Sequence, residues 1–181
     1  FERMKVSATN GDETVLAGYF QDQAALQGFL EETDGALLFV PFEKSPWTGK
    51  DDFEQAARLA AALTTPGRAA VIAEPRAPRE DAGILSSCGL VLGMSLHSVV
   101  FAAMGGVPAV GLAYDPKVTA LLSRLGGLDS SVLHKVTSRA LLDALTRALA
   151  DRTRISARLR QAASQLTTLA EEDLDRAACL I

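Results

Sequence analysis

Two cysteines, two histidines and one tryptophan are all that 181 residues contain of these types, and each scarcity closes a route. Two histidines and two distant cysteines do not make an ordinary four-ligand zinc site. Cys88 and Cys179 stand far apart in different surroundings, so free thiols in a reducing cytosol are expected rather than a disulfide framework. There is no G-x-G-x-x-G after the first apolar run, no P-loop and no Gly-x-Ser-x-Gly elbow, and no pattern asks for a metal or cofactor. No apolar stretch approaches the roughly 20 residues of a membrane helix, so no membrane span is expected. Basic charge is also short: 18 Lys and Arg against 22 Asp and Glu leave a net charge of −4. That balance argues against nucleic acid as a partner. The opening Phe-Glu-Arg-Met-Lys lacks the charged-then-apolar profile of a signal peptide, which points to the cytoplasm. Met4 after three other residues raises the expectation that the chain is a fragment of a longer protein.

What is abundant is aliphatic: the hydrophobic fraction is 48% with only 6% aromatic, which suits a compact α/β core. Short apolar runs at 15–20, 36–41, 69–73, 90–93 and 108–113 read as strands, with a short sixth at 131–133. Between them fall helical faces: Leu26, Phe29 and Leu30; then Phe53, Ala56, Ala57, Ala60 and Leu63; then Val118, Leu121, Leu122 and Leu125. The connection 75–87, with two prolines, reads as a loop plus a short helix. Such alternation predicts a parallel sheet with helices on both faces. Two amphipathic helices follow, 138–150 and 152–178, broken near Asp151 and expected to cover the sheet.

The segment from Gly89 to Val118 is the most informative. It reads as strand, sharp turn, buried helix, strand, sharp turn and helix start. Ser95 stands where an N-cap belongs, Gly105-Gly106 stops the helix, Asp115 is a second natural cap and Pro116 suits a first helical position. Helix N-termini present unpaired N–H groups and the positive end of the macrodipole, so the two turns together suit a phosphate or carboxylate. In an open parallel sheet, ligands bind beyond the carboxyl ends of the strands. That rim would gather Gly93, Met94, Ser95, His97, Tyr114, Asp115 and Lys117, joined by Glu43, Lys44, Glu74 and Arg76 from other strand ends. His97 is the favoured catalytic residue, able to donate to an anion or act as general acid or base; its plain alternative is packing against a loop. Lys117 opposes the helix dipole, a small cost that hints at use, with a solvated lysine equally in view. Gly93 and Gly111 allow close backbone approach, for packing or for ligand. Trp47 has either a sugar-stacking or a core-edge reading, and His134 only a surface one.

Gly-Met-Ser-Leu-His at 93–97, Ala-Ala-Met-Gly-Gly-Val-Pro at 102–108 and Gly-Leu-Ala-Tyr-Asp-Pro-Lys-Val at 111–118 resemble the C-terminal half of the polysaccharide pyruvyl transferase family. The family pattern is usually Gly-Met-Arg-Leu-His followed by Gly-x-x-Tyr-Asp-Pro-Lys. The resemblance implies transfer of pyruvate from phosphoenolpyruvate to a sugar hydroxyl as a ketal, in cell-surface polysaccharide synthesis. It also implies a GT-B-like plan, a missing N-terminal domain, and a glycan or lipid-linked sugar as acceptor. One departure stands out: the family's arginine is Ser95 here, and a hydroxyl does not replace a guanidinium fork. Arg76 and Arg79 are possible substitutes by position. The rival readings are a nucleotide-binding domain of a GT-B glycosyltransferase or sugar-nucleotide epimerase, and a degenerate non-catalytic family member. The expected fold is α/β. A Rossmann-like parallel sheet of five to six strands, with helices on both faces, would occupy 1–137, and C-terminal helices at 138–181 would pack on it.

Overall fold

Gly89-Leu-Val-Leu-Gly has no polar side chain to offer solvent on either face, and burial on both faces is how such a run is accommodated. Leu90, Val91 and Leu92 are each at most 2% exposed. A computed structural model describes residues 13–17, 22–42, 44–45, 50–112, 116–125, 130–131 and 136–179. The elements are β1 (Glu13–Ala17), α1 (Gln23–Glu32), β2 (Ala36–Val40), β3 (Lys44–Ser45), β4 (Lys50–Asp51), α2 (Asp52–Ala62), β5 (Ala69–Val71), α3 (Pro78–Ser86), β6 (Leu90–Gly93), α4 (Leu96–Met104), β7 (Ala109–Leu112), α5 (Pro116–Arg124), β8 (Ser130–Ser131), α6 (Ser138–Ala150) and α7 (Arg152–Ala178).

Six strands form one sheet in the order β5-β2-β1-β6-β7-β8, and every pairing in it is parallel. β3 and β4 make a separate antiparallel ribbon that the sequence patterns did not announce. Register places Leu92 between Leu16 of β1 and Val110 of β7. Because successive strand residues point to opposite faces, the core splits in two. Leu37, Phe39, Leu90, Leu92 and Val110 join α1, α2 and α6 on one side. Val40, Val91 and Ala109 join α3, α4, α5 and α7 on the other.

Helix starts follow local chemistry. Asp22 accepts from the Ala25 N–H, Asp51 from Phe53 and Glu54, and Thr137 from Ala140, at 3.0 to 3.2 Å. The prolines of 75–87 sit in the lead-in and first turn of α3, a position proline tolerates, so this connection carries a nine-residue helix. α6 buries Leu141, Leu142, Ala144, Leu145 and Ala148 as its periodicity requires. α7 departs from the expectation that both terminal helices cover the sheet. Leu159 is its one buried residue, with Ile155, Ala162 and Leu166 packed beside it. Beyond that point the 27-residue helix outruns the domain, leaving Leu169 56% and Leu174 70% exposed. No helix of the described residues is long and apolar enough to cross a membrane, and neither Cys88 nor Cys179 is in a disulfide among the described residues.

Leu159 therefore anchors α7. Leu159→Ala is expected to cost roughly 2–5 kcal/mol in chemical unfolding, while Leu174→Ala stays within about 0.5 kcal/mol. Equal effects would show that α7 is held in some other way.

Candidate functional site

In the order β5-β2-β1-β6-β7-β8, successive connections run one way from β1 and then reverse, so the switch point lies between β1 and β6. A crevice at the carboxyl ends of such strands is where open α/β sheets take ligands. The turn after β6 opens directly onto it.

That turn is tight for a specific reason. A Cβ added at Gly93 would fall on the Ser98 Oγ and lie 3.3 Å from the Ser98 Cβ, so only glycine lets the first turn of α4 fold back on the strand end. Ser98 is fully buried and donates to the Ser95 carbonyl at 2.7 Å. The Ser95 hydroxyl in turn accepts from the Ser98 N–H at 3.1 Å, the N-cap bond its position predicted. The Leu96 and His97 N–H groups lie outside that bond and, with the helix dipole, make this end of α4 suited to an anion. Met94 contributes only its backbone here, because its side chain is 6% exposed and packs into the core beside Leu92.

His97 is exposed at the second position of α4. Its ring lies 6.2 Å from the Phe101 ring, tilted by 44°, and Phe101 stacks on Phe42 at 6.4 Å. The imidazole thus has one apolar flank and one open side. Phe42 is fixed from below, since its N–H donates to the buried Asp52 carboxylate at 3.3 Å.

β7 is the neighbour of β6, about 4.8 Å away at ordinary strand spacing, and it delivers Lys117 as the second, exposed residue of α5. Gly111 has a packing role: a Cβ there would strike Leu122 of α5. Tyr114, Asp115, Glu43, Trp47 and His134 lie outside the described residues.

Arg76 stands elsewhere. It follows β5, three strands from β6, or about 14 Å at the usual spacing. Its guanidinium bonds the Asp81 carboxylate at 2.7 Å, the Glu74 carbonyl at 2.5 Å and the Pro41 carbonyl at 3.4 Å. Both side chains of the Arg76–Asp81 pair are almost buried, at 12% and 10% exposure. Arg76 therefore ties the ends of β2 and β5 together, with its guanidinium engaged by Asp81 and two carbonyls. Arg79 is exposed on α3, among whose side chains Glu80 closes a bond to the Ala77 N–H at 2.7 Å. Sequence reasoning missed Ser98 and the Phe101 flank of His97, and Asp81 as the partner of Arg76. The spacings Ser95–Ser98 and His97–Phe101, three and four residues apart on one helix, were available signals.

The sheet order and its switch point define a doubly wound, Rossmann-like α/β fold. UDP-GlcNAc 2-epimerase from Methanocaldococcus jannaschii superposes with a TM-score of 0.55 at 17% identity, over 78% of this chain and 40% of that one. UDP-GlcNAc 2-epimerase from Neisseria meningitidis, bound to UDP-GlcNAc, gives 0.55 at 12% identity, over 90% and 45%. A UDP-forming trehalose-phosphate synthase from Burkholderia vietnamiensis gives 0.56 at 15%, over 94% and 46%. The chain thus spans less than half the length of each. No curated protein matches it in sequence. Residues 6–116 match the polysaccharide pyruvyl transferase family, and the chain belongs to that family.

The β6–α4 turn yields a test. Gly93→Ala should destabilise the protein by roughly 1–3 kcal/mol in urea unfolding, and a Ser98→Ala background should recover part of that loss. Strictly additive effects would show that the two residues do not share one space.

Proposed function

We propose that this chain is the C-terminal, donor-binding half of a pyruvyl transferase that moves pyruvate from phosphoenolpyruvate to a sugar as a ketal. The single observation behind the reading is the exposed His97 on the first turn of α4, beside the switch point and one strand from Lys117. Family membership supports the transferase class. In the reaction the enol carbon C3 gains a proton and becomes a methyl group. Two sugar hydroxyls add to C2, and the phosphate departs with the second proton. His97 is placed to pass a proton to C3 or to the leaving phosphate, and the open N–H groups of α4 with Lys117 are placed to hold the anion. Gly93, Ser95 and the Met94 backbone shape that end, with Tyr114 and Asp115 assigned to the same rim by the family motif. The acceptor, a glycan or lipid-linked sugar, is assigned to an N-terminal domain outside this chain, and the setting to cytoplasmic assembly of cell-surface polysaccharide.

A second reading has its own support: the similar folds belong to proteins named for nucleotide sugars. Under it the same rim binds a nucleoside diphosphate sugar. A third makes Ser95 the mark of a degenerate, non-catalytic member retained for binding or assembly.

Calorimetry on the chain separates the three. Saturable phosphoenolpyruvate binding, weakened about tenfold or more in His97→Ala and in Lys117→Ala, is the expected result. Binding of UDP-GlcNAc with none of phosphoenolpyruvate would replace the first reading with the second. If phosphoenolpyruvate binds only after Ser95→Arg, the third reading holds.

A further inference from the structure

We propose that the opposite edge of the sheet carries a second pocket, built for a phosphate-class anion. An open groove of about 330 Å³ lies between the C-terminal ends of α3 and α4 and the first turns of α7, at the amino ends of β6 and β7. Arg152, Ser156 and Arg160 line it from α7, Ser86 from α3, and the Gly105-Gly106 backbone from the end of α4. No Asp or Glu is among its lining residues, although acids outnumber bases 22 to 18 over the whole chain.

Guanidinium groups beside helix C-termini have an ordinary structural use, which is to satisfy the last carbonyls. Here the backbone already does so. The Val107 N–H donates to the Ala102 carbonyl at 2.8 Å and the Gly106 N–H to Ala103 at 3.0 Å. This is a Schellman closure, made possible by φ of +68° at Gly106. At the end of α3 the Ser87 and Cys88 N–H groups donate to the Ile84 and Leu85 carbonyls at 3.0 and 3.3 Å.

Arg160 makes no ion pair with any described residue, while its stem is pinned across the helix end. A Cβ at Gly106 would lie 2.8 Å from the Arg160 Cγ. Arg160 supplies the guanidinium arm for a phosphate group, and Arg152 lines the same groove about 12 Å away along the axis. The volume leaves room for a body attached to the phosphate. This pocket shares no residue with the donor site at the other edge.

Titration of the isotope-labelled 181-residue chain with inorganic phosphate, and separately with glucose 6-phosphate, followed by amide NMR, tests it. Saturable shifts are expected at Gly105, Gly106, Thr153 and Ser156. Affinity should fall about tenfold in Arg160→Gln and less in Arg160→Lys. Arg160 is exposed, so an unchanged remainder of the spectrum will confirm that the variants keep the fold. Tighter binding of glucose 6-phosphate would identify a phosphomonoester ligand, and equal binding the free ion; both support the pocket. Saturable shifts confined to Ser95–His97 and Lys117 would overturn it, as would unsaturable shifts spread over all cationic residues.

Discussion

One steric allowance holds the functional edge of this protein together: residue 93 has no side chain, and the buried Ser98 occupies the space a Cβ would take. β6 is paired on both sides, with Leu92 held between Leu16 and Val110, so the strand end has no freedom to shift. α4 must therefore begin close against it. The two serines bond each other reciprocally, through the hydroxyl of each, and the axis of α4 is aimed at the switch point. Anything the N–H groups of Leu96 and His97 do depends on that aim. Interiors pack like organic crystals, so a misfit of one methyl group there is transmitted to the rim.

The periodicities made most of the architecture legible. Leu90-Val-Leu-Gly and Ala109-Val-Gly-Leu could only be doubly covered strands, and Leu141, Leu142 and Leu145 marked the buried face of α6. Period alone, however, does not say where a stripe finds a partner. The stripe of α7 runs on through Leu169 and Leu174 after the sheet beneath it has ended, because helix length is set by local sequence and cover by the rest of the fold. Strand order was equally hidden. It depends on crossovers, which single segments do not encode, and it decided the fate of Arg76. By chain position that arginine looked like a substitute for the family's missing one. The order β5-β2-β1-β6 carries it three strands away, and Asp81 and two carbonyls occupy its donors. The partners that fix the site, Ser98 and Asp52, read as ordinary helix residues until their neighbours are known.

The fold itself is shared with epimerases and a trehalose-phosphate synthase at 12–17% identity, a likeness of architecture alone. Chemistry has to come from the rim. In this chain the rim span from Gly93 to Lys117 places a histidine at one helix start and, one strand later, a lysine at another. The family match ends at residue 116, so it contains the first of these turns and stops at the threshold of the second.

Ser95 is where stability and ligand binding compete. At an N-cap a serine accepts a backbone N–H and is worth about 1 kcal/mol, whereas an arginine has no acceptor and caps nothing. The family's arginine at this place would give up that bond in exchange for a guanidinium facing the crevice. In this chain the bond is made, at 3.1 Å, and the hydroxyl oxygen is engaged by it. Ser95 keeps its O–H donor but carries no charge, so under the proposed function positive charge at the rim has to come from outside the turn. Of the cations flagged by sequence, Arg76 is committed elsewhere and Lys117 stands one strand from the turn. Under the proposed function, a site built this way would lean on dipoles and an ammonium in place of a rigid fork, holding a phosphate as a point charge without the geometric selectivity of a bidentate pair.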